Sequence, residues 1–83
     1  MTDAHVIKTP TQLKAVLRST RRARGLNQSE FGRKIGLSQE RISAIENHPE
    51  RLTTDQLLTL LMALGMELVI KPTSPKAPPL GSW

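Results

Sequence analysis

Apolar residues recur at helical spacing in four stretches of the chain, and glycine, proline and polar residues separate these stretches. Each stretch follows a residue whose side chain can cap a helix, namely Thr9, Asn27, Ser38 or Thr53. Glycine closes the first, second and fourth stretches, as is typical of helix C-termini. The pattern predicts a mainly α domain, with helices spanning about residues 10–24, 28–35, 39–47 and 54–64.

The second and third predicted helices are joined by a short turn that contains Gly36. In the third helix, Ile42 and Ile45 lie on one face, which is expected to point inward. Such a pair has the helix-turn-helix geometry, in which the second helix of the pair lies in the DNA major groove. Any antiparallel helix pair of a small helical domain needs the same features, so periodicity alone leaves both interpretations open.

The outward residues of the third helix have chemistry that suits base edges. Gln39 can bond an adenine edge twice, and Glu40 can accept from cytosine. Ser43 can bond several bases, and Ala44 can contact a thymine methyl. These four residues are therefore predicted to contact DNA bases.

The formal net charge of +5 favours a polyanionic partner. Basic residues concentrate between Lys8 and Lys34, where Glu30 is the only acidic residue. A basic run is often a solvated helix face, but this one adjoins the candidate reading helix, which favours phosphate contact. The candidates for phosphate contact within the run are Arg22, Arg33 and Lys34.

The chain has no cysteine, and its two histidines are His5 and His48. A disulfide or a thiolate metal site is therefore excluded, and neither histidine lies near a second histidine or a helically spaced carboxylate. We expect no enzyme activity, metal, cofactor or small-molecule substrate. The chain lacks a signal-peptide layout and a membrane-spanning apolar run, so we expect a cytoplasmic location with nucleoid association through DNA.

Residues 66–71, MELVIK, are rich in strand-forming residues, and in an extended strand their side chains would point alternately to its two faces. A lone strand cannot satisfy its own backbone groups, and no other segment is suited to pair with it. We therefore expect the strand to pair with its copy across a homodimer. The predicted dimerisation residues are Met66, Leu68, Val69 and Ile70.

The ends of the chain are predicted to lie outside the folded domain, which spans residues 9–71. Residues 1–8 form a loose N-terminal arm, and residues 72–83 form a proline-rich, disordered tail that ends in Trp83. A terminal tryptophan is either an accident of composition or an aromatic anchor for a partner's pocket.

Residues 28–46, QSEFGRKIGLSQERISAIE, resemble the Cro and phage-repressor (XRE) class of helix-turn-helix proteins. Phe31 replaces the usual leucine of that class, and Gly32 replaces the usual alanine. The resemblance implies a Cro/repressor-like fold of four to five helices, in which Glu46 pairs with Arg21. By position it also adds Ser38 to the residues that face bases, and it adds to the phosphate contacts Gln28, Arg41 and Asn47.

The whole layout is similar to the antitoxins of HipA and HipB toxin-antitoxin modules, through Thr9–Leu13, the strand after the last helix and the tail ending in tryptophan. This resemblance implies an autorepressor whose dimer binds palindromic operator DNA and holds a HipA-like Ser/Thr kinase toxin inactive. Trp83 is the candidate toxin contact. A stand-alone phage-repressor-type regulator without a toxin partner stays open. A protein-interaction module that has lost DNA binding is disfavoured by the basic first helix.

Overall fold

The computed structural model of this chain describes residues 4–73, and along them four α-helices follow one another. The elements are α1 (Pro10–Ala23), α2 (Gln28–Ile35), α3 (Gln39–Asn47), a 3₁₀ turn (Pro49–Arg51) and α4 (Thr54–Ala63). The four predicted helices are confirmed, with ends that agree within one residue. Trp83, most of the predicted tail and the first residues of the predicted arm lie outside the described residues.

A 3₁₀ turn connects α3 to α4. Pro49 opens the turn and is buried, and the Leu52 amide donates to the Pro49 carbonyl oxygen at 3.1 Å. Proline suits the first position of a helical turn because its φ is already fixed and its missing N–H has no role there. The turn therefore packs against the domain instead of looping away from it.

Local bonds between side chains and backbone begin each helix. Thr9, Asn27 and Thr53 each form a capping box with the residue three positions later, and Ser38 caps α3 through the Arg41 amide. At α2, Asn27 Oδ1 accepts from the Glu30 amide at 2.7 Å, and Glu30 Oε1 accepts from the Asn27 amide at 2.9 Å. Each box satisfies two amides that a helix N-terminus leaves without an internal partner.

We expect Asn27→Ala to lower the free energy of unfolding by about 1 kcal/mol, because the Asn27 side chain accepts the bond from the Glu30 amide and alanine has no acceptor to replace it. Urea unfolding followed by circular dichroism measures the loss. Ser29→Ala, in the exposed first turn of the same helix, is the matched control and should change stability by less than about 0.5 kcal/mol. An equal loss in the two variants would show that the cap contributes nothing specific.

The C-terminal end of α4 turns sharply at Gly65, whose φ of 73° is left-handed. The Gly65 amide donates to the Met62 carbonyl oxygen at 3.0 Å, and the Met66 amide donates to the Leu61 carbonyl oxygen at 2.8 Å. These two bonds define a Schellman motif, which fixes the direction in which residue 66 leaves the helix.

Arg24 binds this end of α4. Its Nε donates to the Leu64 carbonyl oxygen at 2.9 Å. A cation is favourable at a helix C-terminus, because the last carbonyl oxygens lack helical partners and carry partial negative charge. The guanidinium therefore joins the end of α1 to the point where the chain leaves α4.

The core is a cluster contributed by all four helices. Leu13, Leu26, Ile35, Leu37, Leu52, Leu57, Ala63 and Met66 pack against it as partly buried residues. The fully buried members are Leu17, Phe31, Ile42, Ile45, Leu60, Leu61 and Leu64. Ile42 and Ile45, which the helical periodicity placed on the inward face of the third helix, are therefore among the residues that the fold buries.

Gly32 allows the turn between α2 and α3 to close tightly. The Leu37 amide donates to the Gly32 carbonyl oxygen at 2.7 Å, and a Cβ on Gly32 would collide with the Leu37 carbonyl oxygen. The nearest neighbour of such a Cβ is the backbone of the turn, with Ile42 Cγ1 of α3 beside it.

Residues 66–73 carry no regular secondary structure, and the structure assigns no strand within residues 4–73. The predicted strand over 66–71 is thus not formed within a single chain, and its pairing across a dimer stays a prediction. Met66 packs on the core, whereas Leu68, Val69 and Ile70 are 53%, 71% and 93% exposed. No helix of the described residues is long and apolar enough to cross a membrane.

Candidate nucleic-acid interface

The N-terminal turn of α3 presents most of the predicted base-contacting residues to solvent. Ser38, Gln39, Glu40 and Ala44 are exposed, and Ser43 is half-buried. The opposite face of α3 is held by the buried Ile42 and Ile45. The predicted base-contacting residues are therefore accessible to a DNA major groove, while the apolar face of α3 is buried.

Gln39, the first residue of α3, is held by Gln28, the first residue of α2. Gln39 Nε2 donates to Gln28 Oε1 at 2.8 Å, and Gln28 Nε2 donates to Glu46 Oε1 at 3.2 Å. Because Gln39 bonds to Gln28 through Nε2, the carbonyl oxygen Oε1 of Gln39 takes no part in that bond. This pair of amides connects the exposed start of the reading helix to a buried carboxylate.

Glu46 and Arg21 form a buried ion pair between α3 and α1. Arg21 Nε donates to Glu46 Oε2 at 2.5 Å, and Arg21 Nη2 donates to Glu46 Oε1 at 3.2 Å. Arg21 Nη1 also donates to the Leu26 carbonyl oxygen at 2.8 Å. The pairing that the family resemblance implied is confirmed, and within residues 4–73 no buried side-chain nitrogen or oxygen lacks a hydrogen-bond partner.

Arg18 extends this network to the other end of α3. Its Nη2 donates to Asn47 Oδ1 at 3.2 Å, its Nε lies 3.7 Å from Glu46 Oε1, and Asn47 Nδ2 donates to Ser43 Oγ at 3.4 Å. The sequence prediction counted Arg18 only as part of the basic run. Its position one turn before Arg21 on the same helix face was the signal that could have placed it beside Glu46.

The four remaining phosphate candidates are cations that take no part in this network. Arg22, Arg33 and Lys34 are exposed, as cations that contact a DNA backbone must be. Arg41 is exposed but lines an apolar groove of about 270 Å³ between α3 and α4, with Ile45 and Leu52 nearby. It therefore lies on a different side of α3 from Gln39.

The histidines do not form a metal site in the described part of the chain. No group of three or more histidine, aspartate or glutamate side chains there could hold a metal ion. His48 Nδ1 lies 3.1 Å from Glu50 Oε2 on the exposed 3₁₀ turn. A hydrogen bond from the backbone amide of Glu50 and the His48 ring hold the pKa of Glu50 below its usual value.

A reading helix that is exposed at its N-terminus, fixed behind a glycine turn and flanked by cations defines a helix-turn-helix DNA-binding domain. The helix-turn-helix family model matches residues 17–70 of the chain. The antitoxin HipB of Escherichia coli strain K12 is 34% identical over 64 residues, covering 77% of this chain and 73% of that protein. The antitoxin HipB of an Escherichia coli O6:H1 strain is 34% identical over 74 residues, covering 86% and 79%. The chain belongs to the HipB antitoxin family, whose members are helix-turn-helix DNA-binding antitoxins and not enzymes.

Solved structures agree with this assignment. The chain is similar to HipB in a HipA-HipB-O2-O3 complex, with a TM-score of 0.74 and 32% identity. It is also similar to a HipB-O4 20mer complex, with a TM-score of 0.74 and 31% identity. Each match covers 86% of this chain and 100% of the other. The mainly helical, HipB-like fold is therefore established.

Proposed function

We propose that this protein is an antitoxin and transcriptional autorepressor. Its dimer binds palindromic operator DNA through α3 and neutralises a HipA-like Ser/Thr kinase toxin. The proposed DNA binding is supported by one observation: Gln39 bonds to Gln28, and Gln28 bonds to the buried Glu46. These bonds hold the first residue of α3 in place before DNA binds. A side chain that is ordered in advance loses less entropy on binding.

In the proposed complex, Ser38, Gln39, Glu40, Ser43 and Ala44 contact bases. Arg22, Arg33, Lys34, Arg41, Gln28 and Asn47 contact phosphates. The exposure of the cations supports this division, and phosphate contacts position the domain while base contacts select sequence. Two domains related by a dimer axis place their reading helices about 34 Å apart, in successive major grooves of an inverted repeat.

The homodimer is proposed to form through residues 66–71, with contributions from Met66, Leu68, Val69 and Ile70. Support comes from the exposed apolar side chains that follow α4 and from Met62 of α4, which is 74% exposed. Adjacent exposed apolar residues of this kind are typical of a protein interface. A second copy of the chain covers them most simply, because each copy carries the same surface.

Neutralisation of a kinase toxin is proposed because the similar HipB chain was solved in a complex with HipA. A pull-down of the tagged protein from its native lysate, with and without nuclease, tests this part. A stoichiometric kinase-like partner that survives nuclease is the expected result, and Trp83→Ala should then weaken its retention. Recovery of DNA alone would indicate a stand-alone phage-repressor-type regulator.

We expect Gln39→Ala to weaken binding to the cognate operator by about 1 to 3 kcal/mol and to relax the base preference. The reason is that Gln39 is the exposed residue whose amide can bond an adenine edge twice. Fluorescence anisotropy with the operator duplex and with duplexes changed at single positions measures the effect.

Arg22→Ala is the matched control for Gln39→Ala, because it removes an exposed cation of α1 and no base contact. It should weaken all duplexes alike and reduce the slope of log affinity against log salt by about one. Equal losses on cognate and random duplexes for Gln39→Ala would remove Gln39 from the readout.

A further inference from the structure

In the segment Met66–Lys71, side chains that point to one side of an extended backbone differ in chemistry from those that point to the other side. Met66 packs on the core, and in an extended segment Leu68 and Ile70 share its side. The other side carries Glu67, Val69 and Lys71, so an acid and a base flank a central valine at equal distances. Glu67 and Lys71 are equally far from Val69 and carry opposite charges, so each can lie opposite the other when the segment pairs with its own copy.

Symmetry restricts how two such copies can pair. Residues directly opposite one another in an antiparallel pair point to the same face of the sheet. A two-fold axis that relates two identical antiparallel strands must therefore pass between one residue and its own copy. If the axis passed between two successive residues, each residue would lie opposite one whose side chain points to the other face. Within this segment, the axis can pass through residue 67, 68, 69 or 70.

Three of these four positions give poor pairs. An axis at Glu67 places that carboxylate opposite its own copy, and like charges directly opposite are destabilising. An axis at Leu68 places Glu67 opposite an apolar Val69 and leaves Lys71 opposite a glycine. An axis at Ile70 places Lys71 opposite Val69 and brings Pro72, which has no N–H to donate, into the ladder.

An axis at Val69 satisfies both faces together. Glu67 then lies opposite Lys71 of the second copy, twice per dimer, and Val69 lies opposite its own copy between these two charge pairs. On the other face, Leu68 lies opposite Ile70. Both are exposed in the single chain, and each gains an aliphatic partner.

We propose that two copies of this chain pair antiparallel along residues 67–71 with the two-fold axis through Val69, and that the Glu67–Lys71 pairs set this register. The inference rests on the proposed homodimer and adds the register. The register sets the separation of the two reading helices, because a shift of the axis by one residue slides the two strands past each other by two residues, about 7 Å, and moves both domains with them.

Single cysteine variants test the register directly, because the natural chain has no cysteine. Paired Cα atoms lie about 4.5 to 5.5 Å apart, which a disulfide spans, whereas diagonal neighbours at about 7 to 8 Å do not form one readily. Under mild oxidation Val69→Cys should form a covalent dimer on a non-reducing gel, and Leu68→Cys and Ile70→Cys should do so poorly. Preferential cross-linking at residue 68 or 70 would overturn the axis at Val69.

Charge exchange tests what sets the register. Glu67→Lys places lysine opposite lysine, and Lys71→Glu places glutamate opposite glutamate, so each should raise the dimer dissociation constant by about tenfold or more. The double exchange should restore it. An equimolar mixture of the two single variants should also restore dimers, because both pairs of the mixed dimer then join opposite charges.

Sedimentation equilibrium of the full chain without DNA or toxin measures these constants, so the register is tested apart from the proposed function. If the charge exchange behaves as expected while operator and toxin binding are absent, the register stands and the function falls. If the natural chain is monomeric, or if both single variants dimerise as tightly as the natural chain, the register is overturned even where DNA binding persists.

Discussion

Arg21→Met is expected to lower the free energy of unfolding by about 3 to 5 kcal/mol. Arg21 is 5% exposed and Glu46 is 2% exposed, so the substitution leaves a buried carboxylate without the cation that bonds it directly, and the nearest cation left is Arg18, whose Nε lies 3.7 Å away. Removing one member of a buried ion pair costs more than the pair itself contributes, because the remaining charge has lost both its partner and its water. The Leu26 carbonyl oxygen loses its donor as well.

Urea unfolding gives the size of this loss, and Arg22→Met is its matched control. Arg22 is the next residue of α1, carries the same charge and is exposed, so its substitution should cost less than about 0.5 kcal/mol. Adding Glu46→Leu to Arg21→Met should recover part of the stability, because the orphaned carboxylate is then gone. Equal losses at Arg21 and Arg22 would mean that the pair is not buried in solution.

Phe31→Ala is expected to cost about 3 to 5 kcal/mol of unfolding free energy. Phe31 is 2% exposed and is one of the three largest fully buried side chains. Truncation removes its apolar surface from the core and leaves a cavity that the rigid turn beside Gly32 cannot close. A domain with a total stability of about 5 to 15 kcal/mol has little left after such a loss.

Phe31→Leu is the graded control, since leucine is the usual residue here in the Cro and phage-repressor class. It retains most of the buried volume and should cost about 1 kcal/mol. Thermal unfolding of the three proteins should therefore rank the natural chain first, Phe31→Leu second and Phe31→Ala last. Equal melting temperatures for the leucine and alanine variants would show that the core repacks around position 31.

The helices and the exposed face of α3 could be predicted from the sequence because their signals are local. Thr9, Asn27 and Thr53 each bond an amide three residues later, so the residues that decide where a helix begins lie within a single turn. The apolar period then fixes which face is buried. Gln39 and Ala44 were placed on the outer face of α3 because Ile42 and Ile45 occupied its inner face.

The bonds that the sequence did not reveal join distant parts of the chain. Arg18 and Asn47 are 29 residues apart, and Arg24 and Leu64 are 40 residues apart. A basic run gives no indication of which cation faces a carboxylate or a helix end and which faces solvent. The predicted strand over 66–71 is a different case, because the hydrogen-bond partners proposed for it belong to a second chain.

The bond from Arg24 to the end of α4 has a mechanical consequence in the proposed dimer. In that dimer the two domains meet at residues 66–71, so a rotation of a domain about these residues moves its reading helix. A tilt of about 10° at these residues, acting over half of the roughly 34 Å between successive major grooves, displaces the helix by about 3 Å. That displacement is close to one base-pair step of about 3.4 Å. In the proposed dimer, the bond from Arg24 to the Leu64 carbonyl oxygen would restrict this tilt, and so would limit the variation in half-site spacing that two such domains accept.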